Sequence, residues 1–198
     1  MSQILLLQSS LNGPVSRTNQ LMERFLQTRR EQGHQDQVVV RDLTALDLPV
    51  LDSPLFHALR GAEPANEAIR QAVALSDRLI AELKAADLLL IGAPMYNLNV
   101  PTPLKNWFDL VARAGVTFRY TDTYPMGLVE GVNALVFSSR GGVHQGQTTD
   151  AVTPYLKSVL GLMGIPVEFV YAEGMDLHPH GAEQGMREAH ARIAGLGR

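Results

Sequence analysis

The sequence predicts an α/β chain built on a doubly wound, five-stranded parallel sheet, with helices on both faces making three layers. Two observations predict it. Short apolar runs, most of them continuous, alternate with longer segments of helical periodicity, and a run that is apolar throughout suits a strand covered on both faces. The order strand then helix repeats about five times, and parallel strands joined through helices wind right-handedly into one sheet.

Taken in order, Ile4 to Leu7 supplies the first strand, and Leu21, Phe25 and Leu26 share one face of the first helix. Val38 to Val40 supplies the second strand. Leu43 to Ala65 holds three prolines and reads as a long irregular connection, with a short helix around Leu55 to Leu59. Ile69, Val73, Leu79, Ile80 and Leu83 form the apolar stripe of the next helix, opposite its charges. Leu88 to Ile91 is the third strand, and Trp107, Leu110 and Val111 belong to a helix that begins near Pro103. Val116 to Leu128 alternates before Pro125 and Gly127, which predicts a small hairpin or flap. Ala134 to Phe137 is the fourth strand, and Tyr155, Val159, Leu162 and Met163 mark the helix after it. Val167 to Tyr171 is the fifth strand, and Met186 to Leu196 the closing helix.

The chain has 198 residues, 45% of them apolar and 19% charged, which suits one domain over 1–198 with a sizeable core. A formal net charge of −3 gives no field that would gather nucleic acid or an anionic membrane. The absence of cysteine removes disulfides, thiolate metal sites and cysteine nucleophiles together. Met1-Ser2-Gln3 runs straight into the first strand with no basic or cleavable apolar leader, and no apolar run approaches a membrane span. A cytoplasmic location is the expectation. His178-Pro179-His180 lacks a neighbouring carboxylate cluster, so no metal site is expected.

Ligands of such sheets sit beyond the carboxyl ends of the strands, where the strand order reverses. Three unusual loops fall there. Ser9 to Gln20 leaves the first strand and enters a helix. Ser16 is a natural N-cap, so the backbone N–H groups of Arg17, Thr18 and Asn19 point outward. With the hydroxyls of Ser10, Ser16 and Thr18 and the charge of Arg17, they make an anion site suited to one terminal phosphate. Gly92 to Trp107 is an irregular, proline-bracketed loop. Its Met95, Tyr96 and Leu98 offer apolar contact to a planar ring, and Asn97 and the loop amides offer hydrogen bonds to its rim. Ser138 to Gln147 places Gly141-Gly142 directly after a strand, where backbone can approach a ligand closely. Neither a Walker loop nor a G-x-G-x-x-G fingerprint is present.

With these residues laid out, the sequence resembles the FMN-dependent NADH-azoreductase family, a branch of the flavodoxin-like quinone reductases. The pieces that carry the resemblance are Ser10 with Ser16-Arg17-Thr18-Asn19-Gln20-Leu21, Pro94-Met95-Tyr96-Asn97, Leu104-Lys105-Asn106, the run from Asp109 to Tyr120, and Ser139-Arg140-Gly141-Gly142. The resemblance implies a flavodoxin-like fold with FMN as cofactor. Ser10 and Ser16 to Thr18 would hold the phosphate, Met95 to Leu98 would line the isoalloxazine, and Ser139, Arg140, Gly141 and Gly142 would meet its polar rim. Phe118, Tyr120, His144 and Leu162 would border the substrate slot. His144 and Tyr120 are the side chains that could modulate a reaction otherwise carried by the flavin. Family members often carry aromatics where this chain has Leu98 and Leu162, so those two positions bear on substrate choice.

The resemblance further implies a homodimer that takes hydride from NADH or NADPH and passes two electrons to a quinone or azo compound, in a ping-pong cycle. Arg17, Arg119 and Arg140 are the cations available to a 2′-phosphate. The alternative is a flavodoxin-type one-electron carrier serving protein partners; such carriers are strongly acidic, whereas this chain carries only −3. A phospho-receiver domain would need acidic residues where Gln8-Ser9-Ser10 stands, and a serine hydrolase a G-x-S-x-G elbow that is absent.

Overall fold

Residues 1–196 are described by a computed structural model; the last two residues of the expected domain lie outside them. The chain runs β1 (Gln3–Gln8), α1 (Arg17–Glu31), β2 (Gln37–Asp42), α2 (Ser53–Ala58), α3 (Glu67–Ala85), β3 (Leu88–Gly92) and α4 (Thr102–Val111). It continues with β4 (Phe118–Arg119), β5 (Met126–Gly127), β6 (Asn133–Ser139), α5 (Val152–Met163), β7 (Val167–Ala172) and α6 (Gly181–Leu196). Five strands form one sheet in the order β2-β1-β3-β6-β7, every pair parallel. The chain reverses direction across the sheet between β1 and β3, so the crevice lies above those two strands.

Side-chain alternation along the strands builds the three layers. Ile4 and Leu6 of β1 join Leu21, Phe25 and Leu26 of α1 and Ala189 and Ile193 of α6 in one apolar cluster. Leu5 and Leu7 join Leu79 and Leu83 of α3, Trp107 and Phe108 of α4 and Leu156 and Leu160 of α5 in another. The central strands β1 and β3 are buried on both faces, as their unbroken apolar runs predict.

The edges depart from that expectation. Val38, Val39 and Val40 are 37%, 39% and 48% exposed, because β2 is an edge strand and no helix covers it as fully as the centre. The closing helix starts at Gly181, well ahead of Met186; its first turn lacks the apolar spacing that marks the rest. Gly185 follows that turn, where a Cβ would strike the Glu173 carbonyl just beyond β7, so close approach of helix to backbone replaces an apolar contact. The connection from Leu43 to Ala65 contains α2, capped by Asp52, whose carboxylate accepts the Leu55 N–H at 2.9 Å. The flap is an antiparallel pair, β4 with β5. It is pinned where a Cβ on Gly127 would collide with the backbone of Met163 and Gly164 at the end of α5. Among the described residues no helix is long and apolar enough to cross a membrane.

Candidate functional site

The loops after β1, β3 and β6 meet above the crevice, and hydrogen bonds join them in sequence. In the first, Ser16 caps α1: its Oγ accepts the Asn19 N–H at 3.2 Å. The cap therefore takes one of the three N–H groups expected to be free. Those of Arg17 and Thr18 have no acceptor among the described residues, as the first turn of a helix requires unless a ligand or water supplies one. Ser16 and Thr18 are both fully buried, with hydroxyls 3.0 Å apart. Gly92 lies directly beneath, where a Cβ would come within 2.7 Å of Met22 Cε and 3.3 Å of Thr18 Oγ1. Two hydroxyls, two N–H groups without an acceptor and the positive helix end lie close together, an arrangement that suits an anion. Arg17 is exposed and, among the described residues, bonds Gln20 alone, at 3.3 Å.

The second loop turns back on itself. Tyr96 N–H donates to Asn99 O at 2.9 Å and Asn99 N–H to Tyr96 O at 3.0 Å, with Asn97 at φ 49° and Leu98 at φ 65°. Left-handed backbone at a leucine costs roughly 1–2 kcal/mol, and such strain persists where surrounding structure fixes it. It leaves Leu98 45% exposed at the tip. The Tyr96 ring is half-buried, and its hydroxyl lies 3.2 Å from Ser10 Oγ and accepts the Leu11 N–H at 3.1 Å. Tyr96 thus braces the anion loop. Beneath the same side, a groove of about 580 Å³ is lined by Leu11, Tyr96, Asn97, Pro101, Lys105 and Tyr155. Burial and the nearby charge of Asp109 push the Tyr155 hydroxyl well above the usual phenol range, so it stays a neutral donor.

The third loop joins the second through Met95 N–H, which donates to Ser139 O at 2.9 Å. Gly141 and Gly142 let the Asp176 and His144 side chains lie close against the loop backbone. A Cβ on Gly141 would strike Asp176, and one on Gly142 would lie 2.9 Å from His144 Nε2. His144 Nδ1 is 2.8 Å from Thr149 Oγ1, which leaves Nε2 as its open ring atom.

The structure redirects one residue of this set. The Arg140 side chain is wholly buried, paired with Asp150 at 2.9 Å and Glu173 at 3.2 Å, and it donates to Thr153 at 2.8 Å. Its guanidinium also lies over the Tyr171 ring, 4.7 Å from the centroid. It points into the protein, so it can meet neither a flavin rim nor a 2′-phosphate; only its backbone borders the site. The slot residues are also spread out. Phe118 is buried edge-on to Tyr120, with centroids 5.5 Å apart, and the Tyr120 hydroxyl accepts from Arg60 at 3.2 Å. The Arg60 guanidinium lies over Phe56, 4.3 Å from its centroid, so the flap faces α2. Leu162 is half-buried on α5, two turns beyond Tyr155, and does not line the groove. A single chain therefore does not gather Phe118, Tyr120 and Leu162 around Tyr96 and Asn97.

Sequence patterning gave Glu173 and Arg60 no role, and read Tyr155 only as part of the apolar face of a helix. Glu173 directly follows the last strand at the ligand edge, and that placement is the signal that could have found it.

Comparison with known proteins agrees with this fold. A family model described as flavodoxin-like fold matches residues 2–196. The chain is 66% identical over 197 residues to a Burkholderia lata protein named FMN-dependent NADH:quinone oxidoreductase 4, covering 99% of each. It is 52% identical over 197 residues to the Aeromonas salmonicida FMN-dependent NADH:quinone oxidoreductase, again covering 99% of each. Among solved structures, the azoreductase from Bacillus anthracis str. Sterne superposes with a TM-score of 0.87 at 28% identity, with 100% of this chain and 99% of that one covered.

Proposed function

This chain belongs to the flavodoxin-like fold family, and on that premise we propose that it is an FMN-dependent oxidoreductase passing two electrons from NADH to quinones and azo compounds. Relatives at 66% and 52% identity carry the name FMN-dependent NADH:quinone oxidoreductase, and the residues present fit the cofactor. The observation that carries the proposal is the pair of buried hydroxyls on Ser16 and Thr18, beside free N–H groups at the head of α1. The hydroxyls partner each other, so it is the acceptorless Arg17 and Thr18 N–H groups beside them that suit an anion, and the cofactor's phosphate would supply one.

When bound, FMN supplies hydride acceptance and the return of two electrons. The chain's part is to bind, orient and shield. Ser10, Ser16, Thr18 and the α1 amides would hold the phosphate. Met95 to Leu98 would line the ring, with Asn97 at its rim, and the Gly141 and Gly142 backbone would border the opposite side. His144, with Nδ1 held by Thr149, keeps Nε2 open as a hydrogen-bonding atom toward a ligand. Arg17 and Arg119 are the exposed cations left to a 2′-phosphate, and the relatives' names favour NADH. Donor and acceptor would use one slot in turn, which gives ping-pong kinetics. Steady-state oxidation of NADH by a quinone should need bound FMN, whether retained or added, and give parallel double-reciprocal lines. Intersecting lines would contradict the shared slot, and FMN-independent turnover the cofactor.

The same proposal includes a homodimer. Phe56, Leu98, Tyr120 and Met126 are exposed apolar side chains of the single chain, and the dispersed slot residues need a second copy to complete a pocket. Sedimentation as a two-chain species is expected; an active monomer would contradict it.

A further inference from the structure

The Gly141 to Gln145 loop shows its donors in an unusual arrangement. The carbonyls of Arg140, Gly141 and Gly142 all accept from the segment after β7, from Met175 N–H at 3.0 Å, Asp176 N–H at 3.0 Å and Gly174 N–H at 2.9 Å. The His144 and Gln145 N–H groups both donate to one oxygen, Glu173 Oε1, at 2.8 Å each. The N–H groups of Gly141, Gly142 and Val143 have no acceptor among the described residues. The loop thus turns its acceptors inward and a run of donors outward.

Glu173 Oε1 is where this arrangement is tied. It takes a third donor, Arg140 at 3.2 Å, and Arg140 is itself held by Asp150 at 2.9 Å, Thr153 at 2.8 Å and Ser138 at 3.2 Å. The Arg140 side chain is completely buried, and those of Asp150 and Glu173 are 5% and 14% exposed. A carboxylate can accept several donors on one oxygen, and removing one partner of such a buried set leaves the rest unpaired at high cost. The cluster ties the loop after β6 to the loop after β7 and, through Asp150 Oδ1 accepting the Thr153 N–H at 3.0 Å, to the start of α5.

We propose that Glu173 is a positioning residue: its carboxylate holds the Gly141 to Gln145 loop in the shape that turns free N–H groups toward the bound cofactor. This rests on the FMN assignment above, and it gives buried Arg140 the part of anchoring Glu173. A merely structural role would lower thermal stability and leave the cofactor affinity of the folded protein unchanged.

The test is amide exchange and FMN titration of the cofactor-free protein, wild type beside Glu173→Ala and Glu173→Gln. In the wild type, the His144 and Gln145 amides should exchange slowly with or without FMN, and those of Gly141 and Gly142 should slow only when FMN is added. Glu173→Ala should release the His144 and Gln145 amides and weaken FMN binding about tenfold or more, the effect of losing charge-assisted hydrogen bonds. Glu173→Gln keeps an oxygen for the two N–H groups and should recover most of the affinity. A folded Glu173→Ala protein that binds FMN like the wild type would overturn the proposal. So would wild-type His144 and Gln145 amides exchanging as fast as those of Gly141 and Gly142, a result that stands even if the alanine variant does not fold. A wild type that takes up no FMN would instead sink the cofactor assignment, so the two failures are distinct.

Discussion

Ser16 and Thr18 show one short stretch serving fold and site together. Ser16 Oγ caps α1 and touches the Thr18 hydroxyl, so a single oxygen ends a helix and borders the anion cradle. The two parts separate by substitution. Thr18→Val keeps the shape and removes the hydroxyl, and should weaken FMN binding by about 1–3 kcal/mol with a small change in melting temperature. Ser16→Ala should weaken binding similarly and also lower stability by about 1 kcal/mol, the ordinary cost of a lost cap. Calorimetric titration and thermal unfolding separate the two effects; unchanged affinity in both variants would place the phosphate elsewhere. The cap was legible in the sequence because a serine ahead of a helical stripe has a local cause. The destination of the Tyr96 hydroxyl was not, since its partners Ser10 and Leu11 come from another loop. Arg140 misled for the same reason. An arginine beside two glycines resembles a ligand cation until Asp150 and Glu173 arrive from later in the chain to bury it.

At the scale of elements, the centre of the sheet was readable and its edges less so. Unbroken apolar runs at Ile4 to Leu7 and Leu88 to Ile91 demand cover on both faces and receive it. Val38 to Val40 has the same composition and does not, because strand position in a sheet is a long-range property. The edge is secured by charge instead. Arg29 near the end of α1 forms a two-pronged pair with Asp36 before β2, at 2.6 and 2.9 Å, and Arg41 of β2 a similar one with Glu82 of α3, at 2.9 and 2.5 Å. The hydrogen bond from Arg29 holds the Asp36 carboxyl below the usual range, against the opposing effect of burial. A carboxyl depressed in the folded state contributes stability above its unfolded value of about 3.9, and that contribution fades as pH falls through the folded value. Asp36→Asn should therefore cost about 1–3 kcal/mol at neutral pH. The gap to the wild type should close as pH falls below about 4. Denaturant unfolding at several pH values checks this, and a gap that stays constant would contradict the ionic origin.

Over the whole molecule, the strand order β2-β1-β3-β6-β7 gathers three distant loops at one edge. That gathering was legible from the alternation of strands and helices, because the ligand crevice of a doubly wound sheet follows from its winding. Completion of the substrate slot was not legible: Phe118 and Tyr120 face α2, and Leu162 lies away from the groove. In the proposed dimer such a slot depends on how two copies meet, which no periodicity within one chain encodes. The central claim is that the edge holds FMN and that NADH reduces it there. The most direct test is an absorbance spectrum of the purified protein supplied with FMN, followed by anaerobic addition of NADH and then a quinone. Protein-bound flavin absorption should bleach with NADH and return with the quinone. A protein that retains no flavin, or whose bound flavin NADH leaves oxidised, would contradict that claim.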